Sequence, residues 1–471
     1  MAKEQTEQII KTIEKDFAKG ITKSAELPAD ILDKTVTAGL HVRDSLPNNK
    51  LLTKTGQYWH MLGPGLTTGA SDDDPSGILT YSQTGAKYGF NFLWMAPFTF
   101  PLMAIIQEMC ARIGLVTGRG LAGNIRVHFN KKILIACTIL LFIANAINIG
   151  ADLGAMAKAM QLFSPRLNFS FLVVGFTVIS LLLQIFTPYV RYARYLKWMA
   201  LVLLSYVFST LLAHLDWGSV LQHAIVPQIG FDKDQLLLIC AILGTTISPY
   251  LFFWQTSQEV EEEILKGKTT LHQRRTLTSK EDVKSMRIDV WTGMFLSNLV
   301  MFFIIAACGA LLYQHGITEV TSAAQAAEAL RPFAGDATYF LFAIGIIGTG
   351  LLAIPVLAGS SSYAIAESLR WKEGLYRSLS QAHAFYGMII ISMLVGLTIN
   401  FIGIDPIQAL IYAAVANGLV APLILLLIVL MASNRKIMGR WTNRPSITFV
   451  GWFVVLLMTV SGAAAIYAIF A

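Results

Sequence analysis

The sequence predicts an all-α integral membrane protein of about eleven transmembrane helices, the first and sixth of them broken in mid-membrane. Three observations carry this reading. Of the 471 residues, 55% are hydrophobic and only 14% charged, well below the roughly 25% charged residues of an average soluble domain. The mean hydropathy is +0.58, and long apolar stretches recur from about residue 61 to residue 470. They are too many to share one globular core, leave no room for a second soluble domain, and find their natural solvent in a bilayer. Lastly, Lys and Arg crowd into every second connection between those stretches.

Apolar windows of about 20 residues place helices near 61–85, 90–114, 133–158, 168–187 and 195–214. Six more follow near 234–262, 287–313, 336–367, 379–400, 405–431 and 447–470. The basic connections hold, in order, Arg112, Arg119, Arg126, Lys131 and Lys132; Arg191, Arg194 and Lys197; seven residues from Lys266 to Arg287; Arg370, Lys372 and Arg377; and Arg435, Lys436, Arg440 and Arg444. That is 22 basic residues, against only Lys87, Lys158, Arg166, Lys233 and Arg331 in the intervening connections. The positive-inside rule then puts the N-terminus in the cytoplasm and, with an odd helix count, the C-terminus outside, in the plasma or inner membrane. The net charge of +7 is therefore a topology signal, and no nucleic-acid partner is expected. The lipid bilayer is.

Three parts are expected along the chain: a cytoplasmic tail over 1–57, a transporter core over 58–445 and an additional transmembrane helix over 446–471. The tail mixes both charge signs and lacks the continuous apolar stretch of a signal peptide. Ile9, Ile10, Ile13 and Phe17 fall on one side of a helix among Glu and Lys, so the tail is either a surface-lying amphipathic helix or a solvated segment. Cys110, Cys137, Cys240 and Cys308 all lie in apolar stretches and read as inert core thiols, with neither a disulfide framework nor zinc-type spacing.

The two broken helices carry the chemistry. The first contains Gly63-Pro64-Gly65, Gly69 and Asp72-Asp73-Asp74-Pro75-Ser76-Gly77; the sixth contains Gly244-Thr245-Thr246-Ile247-Ser248-Pro249-Tyr250. Proline removes a backbone donor and clashes with the preceding turn, so each helix is expected to unwind there. Interruptions at matching places in two halves of a membrane protein point to the central site of an inverted-repeat transporter. Asp72, Asp73 and Asp74 sit near mid-membrane with no Lys or Arg in their segment; a bound cation would neutralise them. The half-helix that ends there adds free carbonyls and the negative end of its dipole. Thr245 and Ser248 on the opposing break add further hard oxygens, a set that suits Mg²⁺, Mn²⁺ or Ca²⁺. Asn145, Asn148 and Asp152 share one face of the third helix and are expected to line an interior path, unless Asp152 is a solvated end residue. Asn417, Gln408 and Asn298 line a cavity or bond neighbouring helices. No Ser/His/Asp arrangement, phosphate-cradling glycine loop or nucleotide-binding domain can be placed, so neither enzyme activity nor ATP-driven transport is expected, nor any cofactor.

These motifs resemble the NRAMP family of divalent metal transporters over roughly residues 58–445. The stretch QEMCARIGLVTGRGLAGNIR (107–126) looks like the family's second helix and following loop, and SNRKIMG (433–439) like the end of its tenth helix. Asp74-Pro75-Ser76-Gly77 is similar to the family's Asp-Pro-Gly-Asn metal motif, and Ile247-Ser248-Pro249-Tyr250 to its Met-Pro-His motif. The resemblance implies a five-plus-five inverted repeat of the amino-acid-transporter kind. It also implies metal-site positions at Asp74, Gly77, Thr245 and Ser248. The departures are informative: Gly77 stands for the family's Asn ligand, Ser248 for its Met, Tyr250 and Gln255 for its sixth-helix histidines, and Ala155 for a Glu three residues after Asp152. The chain thus resembles the divergent magnesium-transporting branch of the family. Loss of the thioether removes a soft ligand, and smaller side chains leave width for an ion that sheds water reluctantly. Loss of the histidines points away from proton coupling.

The expected substrate is a divalent metal ion, Mg²⁺ first and Mn²⁺ also, bound partly hydrated between the broken helices, with Asp72, Asp73, Asp152, Asn148, Tyr250, Gln255 and Asn417 around the path. Nothing in the sequence demands an obligate protein partner. Three alternatives remain at this level: a proton-coupled Mn²⁺ or Fe²⁺ importer, an amino-acid or organic-cation transporter of the same fold, and a transport-inactive receptor.

Overall fold

The computed structural model describes residues 62–187, 189–211, 215–228, 230, 232–320, 322–402 and 406–470; the tail with its expected amphipathic segment lies outside them. Among the described residues the chain is helical throughout, with no strand. The first predicted segment is two helices, α1 (Pro64–Asp72) and α2 (Pro75–Tyr88). Next come α3 (Met95–Thr117), the short α4 (Leu121–His128), α5 (Lys131–Phe163) and α6 (Phe169–Phe186). The fifth segment is α7 (Tyr189–Met199) and α8 (Leu204–Leu211), joined by a 3₁₀ turn, and a short α9 (Trp217–Ile225) follows. The sixth is again divided, into α10 (Lys233–Thr246) and α11 (Pro249–Leu265). The remainder is α12 (Leu271–Thr276), α13 (Lys280–Leu311), α14 (Ala323–Leu369), α15 (His383–Ile399), α16 (Pro406–Ala432), α17 (Arg435–Met438) and α18 (Pro445–Phe470).

Every apolar window is therefore helical, and both predicted breaks are present. Eight helical stretches of the described residues are long and apolar enough to cross a membrane, one of them running over the break between α10 and α11. The first segment, the fifth and α15 fall short because they are broken, interrupted or only 17 residues long. The largest boundary differences have local causes that hydropathy does not register. Helix α13 begins at Lys280 because Ser279 and Asp282 form a reciprocal capping box. Helix α14 begins at Ala323, capped by Ser322, because its alanine-rich start favours helix without being strongly apolar.

The two halves interlock around their broken helices: α10 packs on α2 and α11 on α1, while the long α5 lies along α14 and against α15 and α16. Helices α6 and α18 are peripheral. Phe171 is 72% exposed and Phe449 73% exposed, outward apolar faces that only lipid solvates without cost.

Helix α1 is held by α13 along its whole length. A Cβ at Gly65 would lie 2.5 Å from the backbone of Val290, and one at Gly69 would lie 2.2 Å from that of Gly293, so the two backbones touch in the manner of small-residue membrane contacts. At the start of α1 the buried Asp289 carboxylate of α13 accepts hydrogen bonds from the backbone N–H of Gly63 (2.7 Å), Gly65 (2.7 Å) and Leu66 (3.0 Å). It thus serves as the cap for donors that no helical carbonyl reaches. Lys197 of α7 donates to the carbonyl of Leu62 (2.7 Å). Substituting Asp289→Ala strands these buried N–H groups and removes a charged acceptor. The expected loss is roughly 2–4 kcal/mol of stability, read as a lowered thermal midpoint of the purified protein in detergent; a midpoint unchanged within error would show that α1 is held by packing alone.

Candidate functional site

The first break is built from three consecutive aspartates. Asp72 ends α1, Asp73 leaves helical geometry (φ −84°, ψ 52°), and Asp74 is extended (φ −68°, ψ 168°) as the N-cap of α2. Pro75 follows at the first helical position, where its missing N–H costs nothing and its fixed φ starts a new helix. Asp74 Oδ1 accepts from Gly77 N (2.8 Å) and from Ser76 Oγ (2.6 Å), and Asp74 Oδ2 accepts from Asn148 Nδ2 of α5 (2.6 Å). The carboxylate is thereby locked in one rotamer, with lone pairs left over for a cation.

The second break is arranged differently. Ile247 and Ser248 leave helical geometry and Pro249 restarts the helix. Ser248 Oγ does not cap α11; it turns back and donates to the carbonyls of Gly244 (2.8 Å) and Thr245. Thr245 Oγ1 likewise donates to Ile242 O (3.0 Å). Ser248 Oγ therefore spends its proton on its own helix, whereas Thr245 Oγ1 donates to its own helix at 3.0 Å and is also placed to donate to Tyr81 OH at 3.5 Å. The breaks are tied to each other and to α13. Tyr250 OH donates to Ser71 O (2.9 Å), a carbonyl of the last turn of α1. Tyr81 OH of α2 lies 3.4 Å from Thr246 Oγ1 and 3.5 Å from Thr245 Oγ1. Ser297 Oγ of α13 donates to Asp72 Oδ2 (2.8 Å).

Of the residues singled out from sequence, the fold brings Asp72, Asp73, Asp74, Gly77, Asn148, Thr245, Ser248 and Tyr250 to the paired breaks. Asp152 is fully buried one turn beyond Asn148, which removes the solvated-end alternative. Asn417 is buried on α16, where the adjacent Gly418 packs on Cys240 and Gly244 of α10. Gln255 stands apart: it lies two turns into α11 and donates to Glu259 Oε1 (2.8 Å). Asn145 also departs from the expected path-lining role, because its amide donates to Leu357 O, Ser360 Oγ and Ser361 Oγ on α14. Asn298 bonds between α3 and α13 through Thr99 (2.8 Å), as interhelical glue. The side chain of Gln408 is outside the described residues. Sequence reasoning passed over Ser76, Tyr81 and Ser297; only Ser76 carried a signal, as a polar residue inside the first turn after an aspartate cap.

Among the described residues no group of three or more His, Cys, Asp and Glu lies close enough to hold a metal, so any ion at the breaks would meet few charged ligands. Several buried side-chain oxygens around the breaks have no hydrogen-bond partner in the protein: Asp72 Oδ1, both oxygens of Asp73, Asn148 Oδ1 and both oxygens of Asp152. Each is an acceptor, and buried acceptors are costly until a donor or cation meets them.

A polar cavity of about 230 Å³ lies away from the breaks, at the basic ends of the helices, with Arg119, Arg126 and Arg274 facing Glu261, Glu367 and Glu373. Glu261 accepts from Tyr363 OH (2.5 Å) and Leu375 N (2.8 Å), and Glu367 from Gly123 N (2.8 Å) and Ser257 Oγ (2.9 Å). These two carboxylates are thus held by neutral donors. Glu373, in the loop after α14, is pushed up to about 9 by burial and then by the neighbouring Glu367 charge.

A multi-pass bundle with matched breaks in its first and sixth segments, and oxygen acceptors gathered where they meet, defines a broken-helix membrane transporter. The family model described as natural resistance-associated macrophage protein-like (Nramp) matches residues 65–468, and the chain belongs to that family. It is 26% identical over 400 residues to a divalent metal cation transporter MntH of Verminephrobacter eiseniae, covering 82% of this chain and 84% of that one. It is 23% identical over 421 residues to one of Caldanaerobacter subterraneus subsp. tengcongensis, covering 87% and 93%. Among solved structures, a manganese transporter of Eremococcus coleocola superposes with a TM-score of 0.67 at 18% identity, covering 88% of this chain and 87% of that one. Mhp1, a nucleobase-cation-symport-1 family transporter, superposes with a TM-score of 0.55 at 15% identity, covering 86% and 91%. These two likenesses establish the inverted-repeat fold.

Glu373 supplies a pH test. Its carboxyl titrates higher in the folded chain than in the unfolded one, so between the ordinary glutamate value of 4.5 and about 9 the folded state holds the extra proton. Stability from this group is therefore complete at low pH and falls as pH rises toward 9, by up to roughly 1.4 kcal/mol per pH unit. Glu373→Gln should flatten the decline of the thermal midpoint between pH 6 and pH 9; an equally steep decline in the variant would contradict the assignment.

Proposed function

We propose that this chain is a secondary-type transporter of divalent metal cations, Mg²⁺ foremost and Mn²⁺ also, that binds the ion partly hydrated where segments 1 and 6 unwind. The observation that carries this reading is a break offering one locked carboxylate, Asp74, among neutral oxygens and unpartnered acceptors, with no basic side chain bonded to it. The relatives named as divalent metal cation transporters support the substrate class. The preference for Mg²⁺ rests on chemistry: Gly77 and Ser248 offer neither amide nor sulfur, and a hard, strongly hydrated ion loses least from their absence. The ion is cargo, and no resident cofactor enters the proposal.

Transport without obligatory proton coupling follows from Tyr250 and Gln255, whose side chains are bonded as a phenol and an amide and do not titrate as histidine does. Membrane potential alone is sufficient drive, since two charges crossing about 100 mV gain roughly 4.6 kcal/mol. The N-terminus is placed in the cytoplasm and the C-terminus outside the plasma membrane by the basic connections. The core of residues 58–445 would carry transport, with 446–471 as a helix added at its edge. The rival reading, a proton-coupled manganese importer, draws on the buried Asp152 as a proton carrier.

Uptake by purified protein in liposomes, with and without a pH gradient, tests these statements together. Wild-type protein should take up Mg²⁺ and Mn²⁺ without acidifying the vesicle interior; matched metal and proton fluxes would favour the rival. Asp74→Ala should abolish uptake of both ions. Because that change also removes the cap of α2, worth about 1 kcal/mol, Asp74→Asn is the sharper variant: it keeps an acceptor for Gly77 while losing the charge and the oxygen that Asn148 meets. Near wild-type uptake by folded Asp74→Asn would remove the carboxylate from the site.

Selectivity has its own test. A Cβ at Gly77 would lie 3.3 Å from Asp72 O and 3.5 Å from the Tyr81 ring, tight but open enough for a side chain after small shifts. Gly77→Asn combined with Ser248→Met should offer Mn²⁺ direct ligands and raise the Mn²⁺/Mg²⁺ preference by at least about tenfold, roughly 1.4 kcal/mol. An active double variant with unchanged preference would place selectivity elsewhere in the pocket.

A further inference from the structure

We infer that Asn148 is a cation-binding residue. Its amide oxygen accepts hydrogen bonds from the water shell of a hydrated divalent ion seated at Asp74, in place of the side-chain ligand that Gly77 cannot supply. The inference rests on the divalent-cation reading above and specifies how the ion is held.

The orientation of this amide is determined by chemistry. The group 2.6 Å from Asp74 Oδ2 faces a carboxylate that is already taking two hydrogen bonds on its other oxygen, so it must be the NH₂ end. The carbonyl end of Asn148 is therefore turned away from Asp74 Oδ2, on a side chain that is 0% exposed, and it has no partner in the protein. On the same face of α5, one turn further, both oxygens of Asp152 are equally buried and unpartnered.

The surrounding groups narrow the ligand further. At the head of α2 the carboxylate is Asp74, the N-cap; position 77 is glycine and adds no side chain, and the Tyr81 hydroxyl is turned to Thr245 and Thr246 of the opposing break. From α10 and the second break, Ser248 and Thr245 donate to carbonyls of their own helix, so their hydroxyl oxygens remain able to accept. The unpartnered atoms at the breaks are Asp72 Oδ1, Asp73 Oδ1 and Oδ2, Asn148 Oδ1 and the Asp152 oxygens, and none of them is a donor. A dehydrated Mg²⁺ needs near-octahedral direct ligands at about 2.1 Å, whereas a hydrated one presents O–H donors in every direction. A wall of acceptors with a single locked carboxylate is the complement of the hydrated ion.

The test uses hexaamminecobalt(III), whose inert ammine shell displays N–H donors outward and cannot exchange them for protein ligands. In proteoliposomes it should inhibit Mg²⁺ uptake by the wild-type protein competitively. Asn148→Leu, of similar size but without the amide, should raise the Mg²⁺ KM and weaken this inhibition, each by about tenfold. Asn148→Ala is read the same way should the leucine variant fail to fold. An unchanged Mg²⁺ KM and unchanged inhibition in either folded variant would overturn the role of Asn148. Divalent uptake by wild-type protein that hexaamminecobalt(III) does not inhibit would overturn the outer-shell mode while leaving the transport reading intact. Absence of any divalent uptake by wild-type protein would instead defeat the reading on which this one rests.

Discussion

A helix broken inside a bilayer has no water to satisfy the backbone groups it frees, and this protein breaks two helices where they meet. The groups that close those breaks are therefore the ones the rest of the structure depends on. Asp74 accepts from Gly77 N at the head of α2, Tyr250 donates to Ser71 O at the tail of α1, and Ser248 donates to Gly244 O at the tail of α10. Each of these side chains belongs equally to the fold and to the candidate site. A ligand carboxylate that must also cap a helix is held in one orientation before any ion arrives, which lowers the ordering cost of binding.

Helix α13 extends this constraint beyond the site. Asp289 and Ser297 lie on it about 12 Å apart at 1.5 Å per residue, close to the length of α1. One meets the first N–H groups of α1 and the other meets Asp72 at its end. That double contact requires the two backbones to approach closely, and the glycines at 65, 69 and 293 allow it, because any side chain there would enter the opposing backbone. The position of the acidic break is thus set by packing two helices away from the opposing break. The polar cavity at the basic ends of the helices is a separate structure, with its carboxylates bonded to backbone and hydroxyl donors.

The chemical character of the paired breaks is set by what has been taken away. With glycine at 77 and serine at 248, the site offers no soft atom at those positions and no amide from α2. What remains is hard oxygen, mostly as acceptors. On the proposed reading, such a site is at the least disadvantage with ions that keep their water. Asn148, reaching in from α5, returns an amide to the pocket from a different helix and a different direction.

Hydropathy period, basic alternation and the two proline-containing interruptions made the apolar segments, their order and both breaks legible in the sequence, because each is a property of residues adjacent in the chain. The same local chemistry singled out Asp74, Thr245 and Ser248 as candidates once the matched breaks were recognised, and the family resemblance added Gly77. Short helices such as α4 and α9 stayed invisible, since at 8 and 9 residues they are too brief to register as spans. Contacts across the bundle were equally hidden. Nothing adjacent in sequence distinguishes Asn145, whose amide is spent on α14, from Asn148, whose amide meets Asp74; the two differ by three positions on one helix and by which neighbour they face. Likewise only the tertiary structure separates Gln255 from the break and brings Ser297 onto Asp72. Periodicity and proline chemistry determined where this chain is helical and where it is not. Which polar groups meet across the bundle was decided by packing between helices that lie 74 residues apart for Asn148 and Asp74 and 225 apart for Ser297 and Asp72, because in hydrocarbon a polar group that its own helix does not satisfy must find its partner in another segment of the protein.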